Sequence, residues 1–153
     1  MSSPITVDGV EGVKSLVGKE VGPTDWVEVT QEMVNLFADA TGDHQWIHVD
    51  TEKAAAGPFG ATIAHGYLTL SLIPFLGKEI FRVDGITMGI NYGLGKVRFP
   101  AVVPVGSRIR AGAELIDLTD RAQGKQATLR WTVEIDGGEK PACVAETIVV
   151  YVP

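Results

Sequence analysis

The chain has 153 residues, 45% hydrophobic and 21% charged, enough for one packed core without disulfide staples, so residues 1–153 read as a single domain. Its net charge of −6, with no basic run longer than two residues, argues against nucleic acid and anionic membrane surfaces as partners. The lone Cys143, in the apolar run Pro-Ala-Cys-Val-Ala, forbids an intrachain disulfide, and no apolar stretch or signal-peptide pattern stands out, so a cytoplasmic location is expected.

Residues 5–16 fit a short helix and a strand equally well. Residues 21–29 have a β flavour, with Trp26, Val27 and Val29. Thr30 then has the character of an N-cap, because its hydroxyl can accept from a free N–H of the first turn. Met33, Val34, Phe37 and Ala40 space out an apolar helical face, and Gly42 is the stop signal. Residues 43–63 run polar and then small, with one short helix plausible around Glu52 to Ala56; segments this long inside a compact domain usually carry function.

Residues 66–80 form the most apolar helix candidate. Tyr67, Leu68, Leu70, Leu72, Ile73, Phe75 and Leu76 cover almost every direction, the pattern of a buried helix, and Pro74 predicts a kink or early break. From Ile86 the period changes to two. Ile86, Met88, Ile90, Tyr92 and Leu94 share one phase and Val97 and Phe99 the other, with Gly93 and Gly95 at the switch, where a β-bulge would re-aim the strand. Ile109 to Leu115 and Ala127 to Ile135 alternate likewise, and Asp136-Gly137-Gly138 turns the chain into a last strand over residues 142–152. An α+β fold follows, in which an antiparallel sheet is covered by the helix at 66–80.

The three histidines, His44, His48 and His65, all fall in one stretch of loop. Asp43 and His48 are separated by four residues, a spacing that can set a carboxylate and an imidazole beside one water. Spacing alone equally supports a turn-capping aspartate and a satisfied loop histidine. Gly66 opens the apolar helix, where unpaired N–H groups and the helix dipole favour a developing negative charge, and glycine permits close approach of a ligand; crowding relief is the plainer reading. No pair among His44, His48, His65 and Asp43 has the spacing of a known zinc site, so no metal is expected, and no phosphate loop, dinucleotide fingerprint or serine elbow is present.

The run Phe37-Ala-Asp-Ala-Thr-Gly-Asp43-His-Gln-Trp-Ile-His48-Val-Asp resembles the signature of the MaoC-like, (R)-specific enoyl-CoA hydratases. Ile63-Ala-His65-Gly66-Tyr-Leu and Asn91-Tyr-Gly-Leu-Gly-Lys-Val-Arg-Phe-Pro are similar to later parts of the same family, so the likeness spans most of the chain. The resemblance implies a hot-dog fold, an antiparallel sheet wrapped around a long central helix, and a homodimer joined edge to edge through its sheets. It implies reversible hydration of a trans-2-enoyl-CoA to the (3R)-3-hydroxyacyl-CoA, with Asp43 and His48 as catalytic pair and the Gly66 N–H on the thioester oxygen. No cofactor is implied, because the thioester is the electron sink. Gln45-Trp46 stands where the family has Asn-Pro, and Pro74 stands where some members carry a serine; Ser71 or Thr69 could face the site instead. Gln45, Trp46, His65 and Tyr67 are candidate pocket residues, with chain length expected to depend on residues 53–63 and Trp46. Lys96, Arg98 and Arg108 are candidates for the CoA phosphates, with Arg110, Lys78 and Arg82 behind them, although solvated strand faces would look the same. A thioesterase or acyl-carrier-protein dehydratase on the same fold, or a non-catalytic acyl-CoA-binding subunit, are the alternatives.

Overall fold

A computed structural model describes residues 4–153. The ambiguous start resolves into both candidates: β1 (Ile5–Asp8) is followed by α1 (Gly9–Val13) and a 3-10 turn (Lys14–Leu16), whose Val13 and Leu16 are buried. Strand β1 pairs in parallel with β4 (Phe81–Asp84), placing Ile5 opposite Phe81.

The main sheet is six-stranded and antiparallel. It comprises β2 (Glu20–Val21), β3 (Val27–Glu28), β5 (Met88–Arg98), β6 (Arg108–Arg121), β7 (Gly124–Ile135) and β8 (Cys143–Val152), in the order β2-β6-β7-β8-β5, with β3 also on β6. The alternation in β6 and β7 points inward as expected: Ile109, Ala111, Ala113 and Leu115 bury beside Ala127, Leu129, Trp131 and Val133. In β5 the register slips between Asn91 and Gly93 and between Leu94 and Val97, where the two glycines suggested a bulge. The alternating residues of β5 are nonetheless exposed: Met88, Ile90, Tyr92 and Leu94 are each 44–56% accessible, and β5 is an edge strand whose one neighbour in the sheet is β8.

Helix α2 (Gln31–Thr41) begins where Thr30 Oγ1 accepts from the Met33 N–H at 3.2 Å and ends at Gly42, which turns left-handed at φ 82°. Its buried face is Val34 and Ala38 with Phe37 half-covered, while Ala40 is exposed, one position off the expected stripe. Two short helices follow, α3 (Trp46–Val49) and α4 (Thr51–Ala55), the latter capped by Asp50, which accepts from the Lys53 N–H.

The long central helix is not what forms. Residues 66–80 fold as α5 (Gly66–Ser71) and α6 (Ile73–Gly77), hinged at Leu72. Pro74 lies in the first turn of α6, where its missing N–H is tolerated, and it cannot donate back to Leu70 to continue α5. Nor is the segment buried all round. Leu68, Thr69, Ile73 and Leu76 face the core, whereas Tyr67 is 71% exposed and Phe75 half-exposed. The inner face approaches the sheet so closely that a Cβ on Gly77 would stand 2.7 Å from the Trp131 ring. No helix among the described residues is long and apolar enough to cross a membrane.

Candidate active site

Gly42 and the N-terminus of α5 converge on one cluster. The left-handed turn at Gly42 throws Asp43 clear of α2, and the exposed carboxylate accepts from the Gln45 N–H at 3.4 Å. The turn-capping role allowed by spacing is therefore present, but weakly. Helix α3 carries His48 inward to 6% exposure. There His48 Nδ1 lies 2.7 Å from the Ile63 carbonyl. A carbonyl only accepts, so Nδ1 carries the proton and Nε2 of the neutral ring keeps the free lone pair.

His65 is the N-cap residue of α5 and is 2% exposed. Its Nε2 lies 3.0 Å from the Asp43 carbonyl and its ring stacks on His48, centroids 3.8 Å apart and planes inclined by 22°. The ring of Phe37 covers it at 4.8 Å. The side chains of Asp43, His48 and His65 each offer one atom to a set lying within 4.8 Å of one another. A water making two ordinary hydrogen bonds spans roughly that distance, about 4.6 Å. Of the four ring nitrogens, His48 Nδ1 and His65 Nε2 are each taken up by a backbone carbonyl.

Gly66 follows His65 directly and opens α5, and a Cβ there would meet the Phe99 ring at 3.1 Å. Phe99 thus closes one wall beside Gly66 from the end of β5. The quoted motif contains it, but nothing in its spacing marked it. Gln31 also went unmarked. Its Nε2 donates to the His48 carbonyl at 2.8 Å, and its Oε1 accepts from Thr62 Oγ1 at 2.6 Å, tying α2 to both sides of the histidine cluster.

Other expected pocket residues stand elsewhere. The Trp46 ring lies 3.2 Å from where a Gly57 Cβ would be and under Lys53 Nζ, a packing role at the 53–57 turn. Gln45 is exposed, and Tyr67 points outward with its carbonyl accepting from Ser71. The sizeable apolar groove, about 490 Å³, runs instead between α5–α6 and the β5 edge, where Leu70, Pro74, Gly77, Tyr92 and Trp131 line it. Ser71 borders this groove, while Thr69 is buried against the His65 carbonyl. Arg108 is paired with Asp136 and lies by Trp26, beside Arg110, which pairs with Glu134. Lys96 and Arg98 are exposed at the end of β5, just before Phe99.

Residues 13–135 match the family described as "MaoC like domain". Over 148 residues the chain is 60% identical to the 3-hydroxyacyl-thioester dehydratase Z of Mycobacterium tuberculosis, covering 96% of this chain and 98% of that one. It is 48% identical to nodulation protein N of Rhizobium meliloti, covering 90% and 88%. Among solved structures it resembles the (R)-hydratase from A. caviae involved in PHA biosynthesis, at TM-score 0.72 and 28% identity over 90% of this chain and 96% of that one.

Proposed function

The chain belongs to the MaoC-like dehydratase family of hydro-lyases, with a hot-dog fold, and on that footing we propose that it reversibly hydrates trans-2-enoyl-CoA to (3R)-3-hydroxyacyl-CoA. The observation that carries the reading is the gathering of Asp43, His48 and the His65-Gly66 step into one cluster, with His48 Nε2 free to act as a base. Asp43 and His48 hold a water between them. As its oxygen attacks C3, one of the pair takes a proton and a proton is delivered to C2, so the elements of one water are added across the double bond. The Gly66 N–H stabilises the thioester oxygen as it gains enolate character. No metal and no redox cofactor take part.

Helix α5 leads from Gly66 toward the apolar groove, and Leu70 lies one turn on, about 6 Å along the axis. The acyl tail is assigned to that groove, and the CoA phosphates to Lys96 and Arg98 at the end of β5. Arg108, engaged by Asp136, is the weaker phosphate candidate. The open edge and exposed Met88, Ile90, Tyr92 and Leu94 of β5 suit pairing with a second copy, and a homodimer is proposed on that edge. A cytoplasmic location is kept as part of the proposal, in accord with the free, buried Cys143.

The test is one assay on a short enoyl-CoA, following enoyl absorbance and free thiol together. Loss of absorbance without thiol is the expected result. Thiol release would identify a thioesterase, activity confined to acyl-carrier-protein substrates would identify the dehydratase variant, and binding without turnover would identify a non-catalytic subunit.

A further inference from the structure

His65 is a costly choice for its position. Its ring sits between Phe37 and His48 with 2% exposure, and its Nδ1 is buried with no hydrogen-bond partner among the described residues. A phenylalanine would fill the same slot without stranding a ring nitrogen. What phenylalanine would lack is the Nε2–H, which His65 donates to the Asp43 carbonyl at 3.0 Å. That oxygen accepts only, so the hydrogen bond fixes His65 as the Nε2–H tautomer and leaves Nδ1 as the unfilled acceptor.

We infer that His65 is a positioning residue for hydration: one ring sets the Asp43 loop by its hydrogen bond and the His48 imidazole by its stack. The inference rests on the hydratase reading above. His65 Nε2 is engaged by the Asp43 carbonyl and Nδ1 is buried, so its effect passes through the two residues it contacts. Asp43 gains little other support, since its carboxylate is exposed and its bond to the Gln45 N–H is long at 3.4 Å. The peptide that carries Asp43 is therefore held chiefly by the Nε2 edge of an imidazole that is stacked on His48. Because His65 is also the residue before Gly66, the same side chain fixes the distance from the water-binding pair to the start of α5. Displacing reacting groups by about 1 Å can lower turnover by roughly a hundredfold.

His65→Phe keeps the stack and deletes the donor; His65→Gln restores a side-chain N–H at similar reach. In the enoyl-CoA assay, H65F is expected to lose about 10–100-fold in kcat with KM nearly unchanged, and H65Q to recover part of that loss. A long-range proton–nitrogen NMR spectrum of the wild type is expected to show His65 protonated at Nε2 and His48 at Nδ1. A folded H65F with kcat within about twofold of wild type overturns the inference. So does an H65Q no better than H65F, or a wild-type spectrum placing the His65 proton on Nδ1. Asp43→Asn in the same assay separates the two readings. If wild type hydrates and D43N does not, only the His65 inference is at stake. If wild type does not hydrate, the functional reading fails, and the spectrum still judges the hydrogen bond.

Discussion

His48 Nδ1 stands 2.7 Å from the carbonyl oxygen of Ile63, and this bond decides which ring nitrogen can act. With Nδ1–H donating, Nε2 is the base, and the ring cannot flip without stranding a buried donor. Removing either member of the proposed pair should therefore stop proton transfer without unfolding the chain. Asp43→Asn and His48→Ala are expected to lower kcat at least about a hundredfold. Asp43 is exposed, so D43N should melt close to wild type. Turnover near the wild-type rate in either variant would end the assignment.

Gly66 and Phe99 make a second testable contact. A methyl at residue 66 would lie 3.1–3.2 Å from three atoms of the Phe99 ring, so one or the other must move. Gly66→Ala is expected to reduce kcat/KM sharply and to destabilise by about 1–3 kcal/mol. In a double-mutant cycle with Phe99→Leu, the stability loss should shrink while the activity loss stays, because the smaller side chain relieves the clash but leaves the methyl beside the N–H. Equal recovery of both would place the effect in packing alone.

Gln31 holds the site from behind. It donates to the His48 carbonyl and accepts from Thr62, and Thr62 lies next to Ile63, the partner of the His48 ring. Gln31→Leu strands two partly buried groups, an expected cost of about 1–3 kcal/mol on chemical denaturation. Turnover should fall by more than that stability loss explains at assay temperature, because fully folded molecules would still have a looser His48. Unchanged kcat in the folded variant would make Gln31 purely structural.

The legible parts of this chain were those governed by local rules. Thr30 and Gly42 bound α2 where their side chain and φ value demand, and the β6 and β7 alternation pointed inward as read. Asp43, His48 and Gly66 were found through motif likeness, and the structure brings them together through His65. What local pattern could not report was partnership at a distance. The parallel pairing of β1 with β4 leaves no periodic trace, and Gln31 looks like any first-turn glutamine until Thr62 arrives. Tyr67 and Phe75 fit the pattern of a buried helix because periodicity records apolar character, while exposure depends on whether another surface arrives to cover it. Trp46 is a pocket candidate because Gln45-Trp46 replaces the family Asn-Pro, and its ring packs at Gly57.

Cys143 yields a pH prediction. It is buried, and burial pushes its thiol up to about 11 from an ordinary 9.0. The folded chain thus keeps a proton that the unfolded chain releases above pH 9. Stability is unaffected by this group below pH 9 and should decline from there through about pH 11. Tyr151, raised by burial from 10.0 to about 12, adds to the decline at the upper end. Denaturation curves from pH 8 to 11 should be flatter for Cys143→Ala than for wild type. The native thiol should resist a disulfide reagent that labels it fully in denaturant. Rapid labelling of the native chain would contradict the burial.

Trp131 and Gly77 set the depth of the apolar groove. The indole is buried, donates through Nε1 to Thr147 Oγ1 at 3.1 Å, and lies so near Gly77 that a Cβ there would be 2.7 Å from its ring. The floor can thus be moved in either direction. Trp131→Leu removes ring volume and should improve kcat/KM for longer enoyl chains relative to shorter ones, with a stability loss of about 2–4 kcal/mol. Gly77→Ala drives the ring outward and should act oppositely, penalising long chains first and destabilising by about 1–3 kcal/mol. Opposite shifts in chain-length preference place the acyl tail against this wall. A change in stability with the preference unmoved in both variants would put the tail elsewhere and leave the groove as the seam covered by a second copy at β5.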